Sequence, residues 1–375
     1  MTEPLTTPLH ALHESRGARM VPFAGYSMPL HYPLGILKEH QHTREAAGLF
    51  DVSHMGQITI RPKSGNLEDA ARALESLVPV DVLGLATGRQ RYGVFTDEQG
   101  GILDDLMIAN RGDHLFLVVN ASRRNEDLAH LKAALGDSCE VELVDRGLLA
   151  LQGPKAEEVL ARLNPDIAGM RFMDVRAIDF DGVSAIVSRS GYTGEDGYEI
   201  SLPADATVDF ADRLLAEEEV EMIGLGARDS LRLEAGLCLH GNDIDTTTTP
   251  VEAALEWAIQ PARRSGGARA GGFPGAEIIL GQIAEGAARR RVGLLPEGRA
   301  PMREGTELFI DEDGEPVGAI TSGGFGPSFG GPVALGYVPA AQAAPGTRLL
   351  ASLRGKMLPV TVTKTPFVKS GYKRA

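Results

Sequence analysis

The chain has 375 residues, of which 43% are hydrophobic and 23% charged, a composition typical of a soluble globular protein with two or three domains. Its net charge of −14 argues against a nucleic-acid backbone as the main partner, because phosphate binding needs concentrated positive charge. This balance still allows a small anionic ligand held by a few local arginines.

The cysteines and the amino terminus indicate where the protein acts. Cys139 and Cys238 show no metal-like spacing, which fits a reducing compartment without a disulfide framework. The first residues, MTEPLTTPLHALHE, lack the apolar core of a secretory signal and the arginines of a transit peptide. No run reaches the roughly 18 apolar residues of a membrane span. We therefore expect a cytoplasmic protein that does not associate with membranes.

The first half of the chain mixes helices with antiparallel strands. Residues 68–79 (EDAARALESLVP) have the spacing of an amphipathic helix that ends at a proline. Three apolar runs follow in RYGVFTDEQGGILDDLMIANRGDHLFLVVN, and the turn-like segments DEQGG and RGD between them predict a strand meander. The next segment, NASRRNEDLAHLKAAL, predicts a helix with Asn120 or Ser122 as its cap.

The rest of the chain predicts an α+β region followed by a β domain. The segments GLLALQGP, KAEEVLARL, GVSAIVSRSGYTGEDGYEISLP, FADRLLAEE and GARDSLRLEAGL predict strands and helices without regular alternation, which favours α+β. Residues 261–275 (PARRSGGARAGGFPG) have the composition of a linker or mobile loop. From Arg291 onward, short strands between Gly and Pro turns predict a small barrel or sandwich. We therefore divide the chain into residues 1–275 and 285–375.

Two adjacent acids interrupt an apolar strand in GGILDDLMIAN. Side chains alternate between the two faces of a strand, so Asp104 and Asp105 point in opposite directions and one of them is buried with its face. Uncompensated burial of a carboxylate costs several kcal/mol. A buried carboxylate also has a tunable pKa, which suits proton transfer or the stabilisation of a cation.

A second acidic segment, SGYTGEDGYEI, predicts a hairpin. We expect Glu195 and Asp196 to lie on its solvated turn, whereas Glu199 lies on a strand between apolar neighbours. A carboxylate fixed on a strand can accept a pair of hydrogen bonds from a flat, amidine-like edge. The sequence therefore predicts a binding role for Glu199.

Three other segments invite functional interpretations that we do not favour. GLCLHGNDID places His240, Asp243 and Asp245 on a glycine-containing turn, where local capping explains them better than a metal ion does. His54, in DVSHM, is expected to be structural rather than a base. GGFGPSFGGP lacks a lysine and a following helix, so it predicts a turn of the β domain rather than a phosphate loop.

Nine segments occur in one order along the chain: VPFAGYSMPL, LFDVSHMG, GGILDDL, SGYTGEDGYEI, ARDSLRLEAGLCLHGNDID, TPVEAALEW, RRRVGL, GYVP and TPFVKSGY. Together they resemble the aminomethyltransferase family of the glycine cleavage system, the T-proteins, over residues 7–372. The resemblance implies a three-domain, folate-binding α+β fold with a hole through its middle. Two intertwined α+β domains would occupy residues 1–275, and a C-terminal β-barrel would occupy residues 285–375.

The resemblance also implies a reaction. Family members take an aminomethyl group from the lipoyl arm of a carrier, the H-protein, and transfer its carbon to the co-substrate tetrahydrofolate. The products are 5,10-methylenetetrahydrofolate, ammonia and the dithiol form of the carrier. An iminium-like cation is expected at the transferred carbon, and a carboxylate in a dry pocket can stabilise such a cation. The family motif gives this catalytic role to Asp105 and leaves Asp104 a structural one.

The family's folate site corresponds here to Glu199, Arg228, Tyr372, Tyr192 and Asn120, with Met55 and Trp257 lining the pocket. Arg291 matches a position at the folate site or its domain interface. Because the given sequence ends three residues after Tyr372, we expect that residue to be less anchored than in longer relatives.

The sequence also allows other functions for the same fold, and it suggests several surfaces that could dock the lipoyl carrier. A folate-binding protein of the same fold without transferase activity, or a folate-dependent regulator, would share many of these segments. A sarcosine- or dimethylglycine-oxidising enzyme is disfavoured, because the chain has no amino-terminal GxGxxG. Lipoyl carriers of this kind tend to be acidic, so docking needs locally concentrated positive charge. The densest candidates are Arg263, Arg264, Arg269, Arg289, Arg290 and Arg291.

Overall fold

The computed structural model describes residues 3–374, in which the chain forms nineteen β-strands and eight α-helices. The helices are α1 (His10–Ser15), α2 (Ile36–Glu45), α3 (Leu67–Glu75), α4 (Arg124–Leu135), α5 (Ala156–Leu163), α6 (Thr207–Leu215), α7 (Leu225–Glu234) and α8 (Ala276–Glu285). Short 3₁₀ helices lie at Pro165–Gly169, Ala204–Ala206, Glu256–Ala258, Pro261–Arg263 and Ala340–Gln342. No helix within residues 3–374 is long and apolar enough to cross a membrane.

The strands are β1 (Arg19–Phe23), β2 (Tyr26–His31), β3 (Ala47–Asp51), β4 (Gly56–Pro62), β5 (Arg89–Thr96), β6 (Ile102–Asn110), β7 (Leu115–Val119), β8 (Cys139–Leu143), β9 (Arg146–Gln152), β10 (Val175–Phe180), β11 (Val183–Ser188), β12 (Gly197–Pro203), β13 (Val220–Met222), β14 (Arg289–Pro296), β15 (Glu307–Phe309), β16 (Gly318–Gly326), β17 (Gly331–Pro339), β18 (Arg348–Leu353) and β19 (Lys356–Thr363). They form a β1–β2 hairpin, two open sheets and one closed barrel.

The first open sheet has six strands in the order β10-β11-β12-β9-β3-β13. Its β13–β3 pair is parallel and its other pairs are antiparallel. One face packs against α5 and α6, and Tyr198 and Ile200 of β12 are fully buried there. Since side chains alternate along a strand, Glu199 points away from this core and toward the second sheet.

The second open sheet has five antiparallel strands in the order β5-β6-β7-β4-β8. Its core face packs beneath α3 and α4 and includes Leu106 and Ile108 of β6. Asp104 shares this face and has no exposed surface. Asp105, Met107 and Ala109 lie on the opposite face by alternation. The strand therefore sends one carboxylate into the core and presents the other on the outer face.

The outer faces of the two open sheets pack against each other, and we call the space between them the sheet junction. Ala109 and Phe116 of the five-stranded sheet cluster there with Val175 of the six-stranded sheet. The Ser201 hydroxyl donates to Gln57 Oε1 across the junction over 2.6 Å. Helix α7 packs on the same outer face of the six-stranded sheet and closes one side of the junction.

The carboxy-terminal part is a closed barrel in the order β14-β17-β16-β15-β18-β19. Its interior is filled by aliphatic side chains that include Leu294, Ile320 and Val360. Closure pairs every strand edge, which lets short strands form a stable unit. The predictions of an α+β fold and of a C-terminal β-barrel are therefore confirmed, and GGFGPSFGGP lies at the β16–β17 hairpin, as expected.

Three local predictions were wrong. Helix α3 ends at Glu75 rather than at the proline at position 79. Helix α4 begins at Arg124, and its first turn has no side-chain cap, so neither Asn120 nor Ser122 has the expected role. Residues 261–275 do not behave as a free linker. Arg263 is buried and donates to the Glu75 carboxylate and backbone carbonyl, so the segment is held against α3.

Candidate active site

Asp104 and Asp105 of β6 meet at Asn120, just beyond the end of a neighbouring strand. Strand β7 pairs with β6 only as far as Val119, opposite Leu106. Asn120 therefore lies beside the two acids without ladder pairing, and its side chain reaches both faces of the sheet. Its Nδ2 donates to Oδ1 of Asp104 over 2.8 Å and to Oδ1 of Asp105 over 2.6 Å. This double contact replaces the capping role that the sequence suggested.

Tyr92 contacts Asp105 and stacks on a second aromatic residue, Trp257. The Tyr92 hydroxyl donates to Oδ2 of Asp105 over 3.0 Å. The Tyr92 ring stacks on Trp257, with centroids 5.4 Å apart and planes at 24°. Both rings line an open cleft of about 360 Å³. Trp257, a predicted pocket residue, is 59% exposed there, so it forms an outer wall rather than the floor of the site.

Asp105 is half-buried, and burial raises the pKa of its carboxyl group. Hydrogen bonds from Tyr92 and Asn120, together with the nearby His240, oppose that rise. A carboxylate held by two directed donors keeps a fixed orientation and can face a developing positive charge. The geometry therefore suits Asp105 for stabilising a cation.

Glu199 lies on the junction face of β12, opposite Ala150 of β9. The Ser190 hydroxyl donates to its Oε2 over 3.0 Å, and this is its one hydrogen bond within residues 3–374. Burial raises the pKa of the Glu199 carboxyl, while Arg228 and Ser190 oppose the rise. Most of the acceptor capacity of this carboxylate is thus left for a ligand.

Arg228 extends from α7, with its guanidinium 4.6 Å from the centre of the Tyr192 ring. Its side chain makes no hydrogen bond or ion pair within the described part of the chain. The Tyr192 hydroxyl donates to the backbone carbonyl of Cys238, and Cys238 packs in the same cluster as Tyr92. Tyr192 therefore connects the Glu199–Arg228 end of the junction to the Asp105 end.

Met55 and Tyr372 take different positions relative to this group. Met55 packs beside Phe50 and Val118 at the junction. It directly precedes Gly56, which pairs with Val119. Tyr372 stacks on Phe172, with centroids 4.3 Å apart. It reaches the turn that carries Tyr192, since the neighbouring Gly371 N–H donates to Gly194 O over 2.8 Å. Among residues 3–374 it makes no hydrogen bond to Glu199 or Arg228.

The tail around Tyr372 is better anchored than its length suggested. The Phe172 N–H donates to the Lys373 carbonyl over 2.8 Å, and Lys373 Nζ pairs with Glu157 over 2.8 Å. These contacts anchor the tail on either side of the Tyr372–Phe172 stack.

The acids of the hairpin turn are ion-paired rather than solvated. Glu195 Oε1 accepts from Arg44 over 2.9 Å, and Asp196 pairs with the buried Arg189. The solvated turn expected from the sequence was wrong. These acids hold the turn in place, and that turn positions Tyr192.

His54 and the GNDID turn have structural contacts. His54 is 3% exposed, and burial lowers its pKa to about 4, so it is neutral at physiological pH. Asp243 accepts from Arg232 over 2.8 Å and from Ser322 of the barrel over 2.8 Å, which joins the two parts of the chain. Within residues 3–374, no group of three His, Cys, Asp or Glu side chains is arranged to hold a metal ion.

The arginine clusters do not form a free positive patch. Arg263 and Arg269 pair with Glu75, and Arg264 donates to the backbone carbonyl of Ile259. Arg289 pairs with Glu252 and Arg290 with Glu256, so their charges are balanced locally. Arg291 is buried at the interface with the barrel, where it donates to the carbonyls of Ala253 and Gly236. The concentrated positive charge expected from the sequence is therefore absent at these residues.

Sequence reasoning missed Tyr92 and Ser190. A β-bulge between Phe95 and Thr96 shifts the hairpin register so that Val94 faces Asp105, and Tyr92 is then the diagonal neighbour of that acid on the same face. Counting outward from the DEQGG turn without the bulge would pair Val94 with Asp104 instead, so no signal for this contact was available from the sequence. Ser190 opens the SGYTGEDGYEI segment, but its approach to Glu199 depends on how the turn folds back.

Two family models match the chain. Residues 9–263 match the GCVT N-terminal domain, and residues 289–369 match the glycine cleavage T-protein C-terminal barrel domain. The mitochondrial aminomethyltransferase of Dictyostelium discoideum is 42% identical over 98% of this chain and 93% of its own length. That of Flaveria trinervia is 47% identical over 98% of this chain and 90% of its own.

A solved structure agrees with the sequence comparison. The glycine cleavage system aminomethyltransferase T of Bartonella henselae superposes with a TM-score of 0.91 at 46% identity, covering 98% of this chain and 99% of that one. One expectation is overturned: the Dictyostelium and Flaveria relatives are named mitochondrial, so the prediction of a cytoplasmic location was wrong. By the extent and identity of these matches, the chain belongs to the glycine cleavage T-protein family and is an aminomethyltransferase.

Proposed function

We propose that this aminomethyltransferase uses tetrahydrofolate as its one-carbon acceptor and binds it at the sheet junction between Glu199 and Arg228. One observation carries the proposal. These two opposite charges are partly buried and near enough to shift each other's pKa, yet neither forms an ion pair within residues 3–374. Buried charges are normally paired. A ligand with both donors and acceptors would complete the pairing of each.

The pterin ring of a folate matches this arrangement chemically. Its flat amino-pyrimidinone edge carries adjacent N–H donors, which a carboxylate such as that of Glu199 can accept as a pair. The guanidinium of Arg228 stacks on Tyr192 and still has donors at its edge for carbonyl or carboxylate oxygens of the ligand. Asn120 and Met55 line the Asp105 end, and Tyr372 reaches the site through the turn that carries Tyr192.

Asp105 would stabilise the positive charge that develops on the transferred carbon. That carbon begins between a nitrogen and the sulfur of a lipoyl arm on a carrier, the H-protein. The C–S bond breaks, the two folate nitrogens bond to the carbon, and the C–N bond to the departing ammonia breaks. The two protons lost by the folate nitrogens end on the sulfur and on the amine. An anion near this carbon lowers the barrier, because its attraction strengthens as the cation forms.

We assign folate binding to residues 1–275, joined by Tyr372 from the carboxy-terminal tail, and propose that the barrel within residues 285–375 supports that region from one side. Leu233 of α7 packs on Val333 and Leu335 of the barrel, and Arg232 of α7 donates to Ser322. Helix α7 also carries Arg228. The barrel would therefore act on the folate site by fixing the position of this helix.

The test is a coupled assay with lipoylated carrier protein, an aminomethyl donor and tetrahydrofolate, scoring ammonia and methylenetetrahydrofolate. We expect both products with the wild type. Asp105→Asn should reduce turnover by about 100-fold or more, the scale for losing one preorganised charged group, while folate binding is retained. A wild type that binds folate but forms neither product would instead support a binding protein of the same fold.

A further inference from the structure

A buried carboxyl pair lies behind the proposed catalytic acid. Asp104 is fully buried, and Asp127, in the first turn of α4, is 2% exposed. Each carboxyl group shifts the pKa of the other, because Asp127 raises the pKa of Asp104 and Asp104 lowers that of Asp127. Asp105 stands next to Asp104 and shares the Asn120 amide with it. Three carboxyl groups thus occupy one poorly solvated cluster.

Few groups offset the negative charge of this cluster. His240 extends from the 238–245 turn, with Nδ1 3.8 Å from Oδ1 of Asp104. On the α4 side, the charges that act on Asp127 are those of Arg123 and Glu126, which have opposite signs. Tyr92, on β5, faces Asp105 only. Three adjacent anions, two of them buried, would repel strongly, which favours a proton on at least one of the carboxyl groups at neutral pH.

Hydrogen-bond geometry indicates which group holds the proton. Oδ2 of Asp127 is buried and finds no N–H or O–H donor within residues 3–374. A hydroxyl on Asp104 would supply that donor. Each of the two neighbouring acids receives two N–H or O–H donors, Asp105 from Asn120 and Tyr92, and Asp104 from the Asn120 side chain and backbone. The greater exposure of Asp105 and the unpaired Asp127 oxygen therefore favour the proton on Asp104. Burial and the charges of Asp105 and Asp127 raise the pKa of Asp104 to about 9, which agrees with this assignment.

The contacts of Asn120 connect this proton to catalysis. Its two amide N–H groups are directed at Asp104 and Asp105, and its backbone N–H donates to Oδ2 of Asp104 over 3.1 Å. Asp104 therefore fixes both the backbone and the side chain of Asn120. If Asp104 became an anion, repulsion would favour moving the proton onto Asp105.

We propose that Asp104 is a positioning residue that remains a neutral carboxylic acid, donating to Asp127 and accepting from Asn120, so that Asp105 is the anionic member of the pair. This inference rests on the proposed role of Asp105. It assigns functions to Asp104 and Asp127 that the proposed mechanism alone does not require.

The activity test measures the pH dependence of turnover. In Asp127→Asn, the new amide can donate to Asp104 and stabilise its anion, so the proton should shift to Asp105. We expect the acid limb of the kcat profile to move up by about one pH unit or more. Lys132→Gln removes an exposed charge from the last turn of α4 and should leave the limb in place. An unchanged limb in Asp127→Asn would overturn the proposal.

A second measurement needs no turnover and so separates this proposal from the folate reaction. Infrared spectra of the substrate-free protein, recorded near neutral pH and compared between variants, should contain the carbonyl band of a protonated carboxylic acid. The band should persist in Lys132→Gln and disappear in Asp104→Asn. If the wild type lacks the band, or Asp104→Asn keeps it, the assignment is wrong even if the enzyme is fully active. If the band behaves as expected but no methylenetetrahydrofolate forms, the proposed function fails instead.

Discussion

The Tyr92 hydroxyl donates to Oδ2 of Asp105 over 3.0 Å, although the two residues lie on different strands and are not directly opposite in the β5–β6 hairpin. The partner opposite Asp105 is Val94, and Tyr92 reaches the acid from the diagonal position. A phenol is a neutral donor, so it supports the anionic form of Asp105 without cancelling its charge. The hairpin therefore supplies both the acid and the group that orients it.

The first prediction concerns this hydrogen bond. Tyr92→Phe keeps the aromatic ring against Trp257 and removes the donor. A hydrogen bond to a charged group contributes about 1.5–3 kcal/mol, which corresponds to a rise of about one to two units in the Asp105 pKa. In a plot of kcat against pH, the acid limb should therefore move to higher pH by the same amount. Tyr198→Phe, which removes a hydroxyl in the core of the other sheet, is the control and should not move it.

The second prediction concerns the Glu199 carboxylate. Glu199→Gln keeps the shape of the side chain but removes its charge and one of its acceptors. We expect the Kd for tetrahydrofolate, measured by calorimetry, to rise by about 10- to 100-fold. The rate of the reaction once folate is bound should fall by a smaller factor. Asp205→Asn, at an exposed position in the 3₁₀ helix that follows β12, should not change the Kd. Unchanged folate affinity in Glu199→Gln would contradict the proposed pterin contact.

The third prediction concerns the arginines that the sequence suggested as a docking surface. The side chains of Arg263 and Glu75 are 4% and 5% exposed, so Arg263→Met leaves an incompletely compensated buried carboxylate. We expect this variant to lose about 3 kcal/mol of unfolding free energy. The Arg290–Glu256 pair is much more exposed, and Arg290→Met should cost less than about 1 kcal/mol. Denaturant melts that rank the two variants the other way would contradict the structural role of Arg263.

The fourth prediction concerns His54 and the pH dependence of stability. Burial lowers its pKa from 6.5 to about 4, so between these values the unfolded chain binds a proton that the folded chain does not. The contribution of neutral His54 is fully present above pH 6.5 and is lost as the pH falls toward 4.

His54→Gln removes this titration and is the matched comparison. Relative to this variant, the wild type should lose about 2 kcal/mol of unfolding free energy between about pH 7.5 and about pH 5. Parallel curves for the two proteins, from urea melts across that range, would show that His54 is accessible to protons in the folded state.

Local patterns in the sequence determined much of the architecture. The period-two alternation of β6 required Asp104 and Asp105 to face opposite sides, and the structure has that arrangement. Frequent Gly and Pro turns after Arg291 predicted short strands, and these strands close into the barrel. Such features depend on neighbouring residues alone, so no knowledge of the packing is needed. The ordered motifs added the family, which the comparisons confirm.

Only the tertiary structure decided how the parts of the site meet. Asn120 was expected to cap a helix, but it holds two carboxyl groups because β7 ends one residue before it. Arg263 was expected in a mobile linker, but it finds Glu75, which is 188 residues away in the chain. Charged and polar side chains bond to whatever partner the packing brings near, and local sequence does not encode the distances between remote segments. For that reason the sequence predicted a carboxylate on each face of β6, whereas the packing of sheets and helices determined which buried groups remain unpaired.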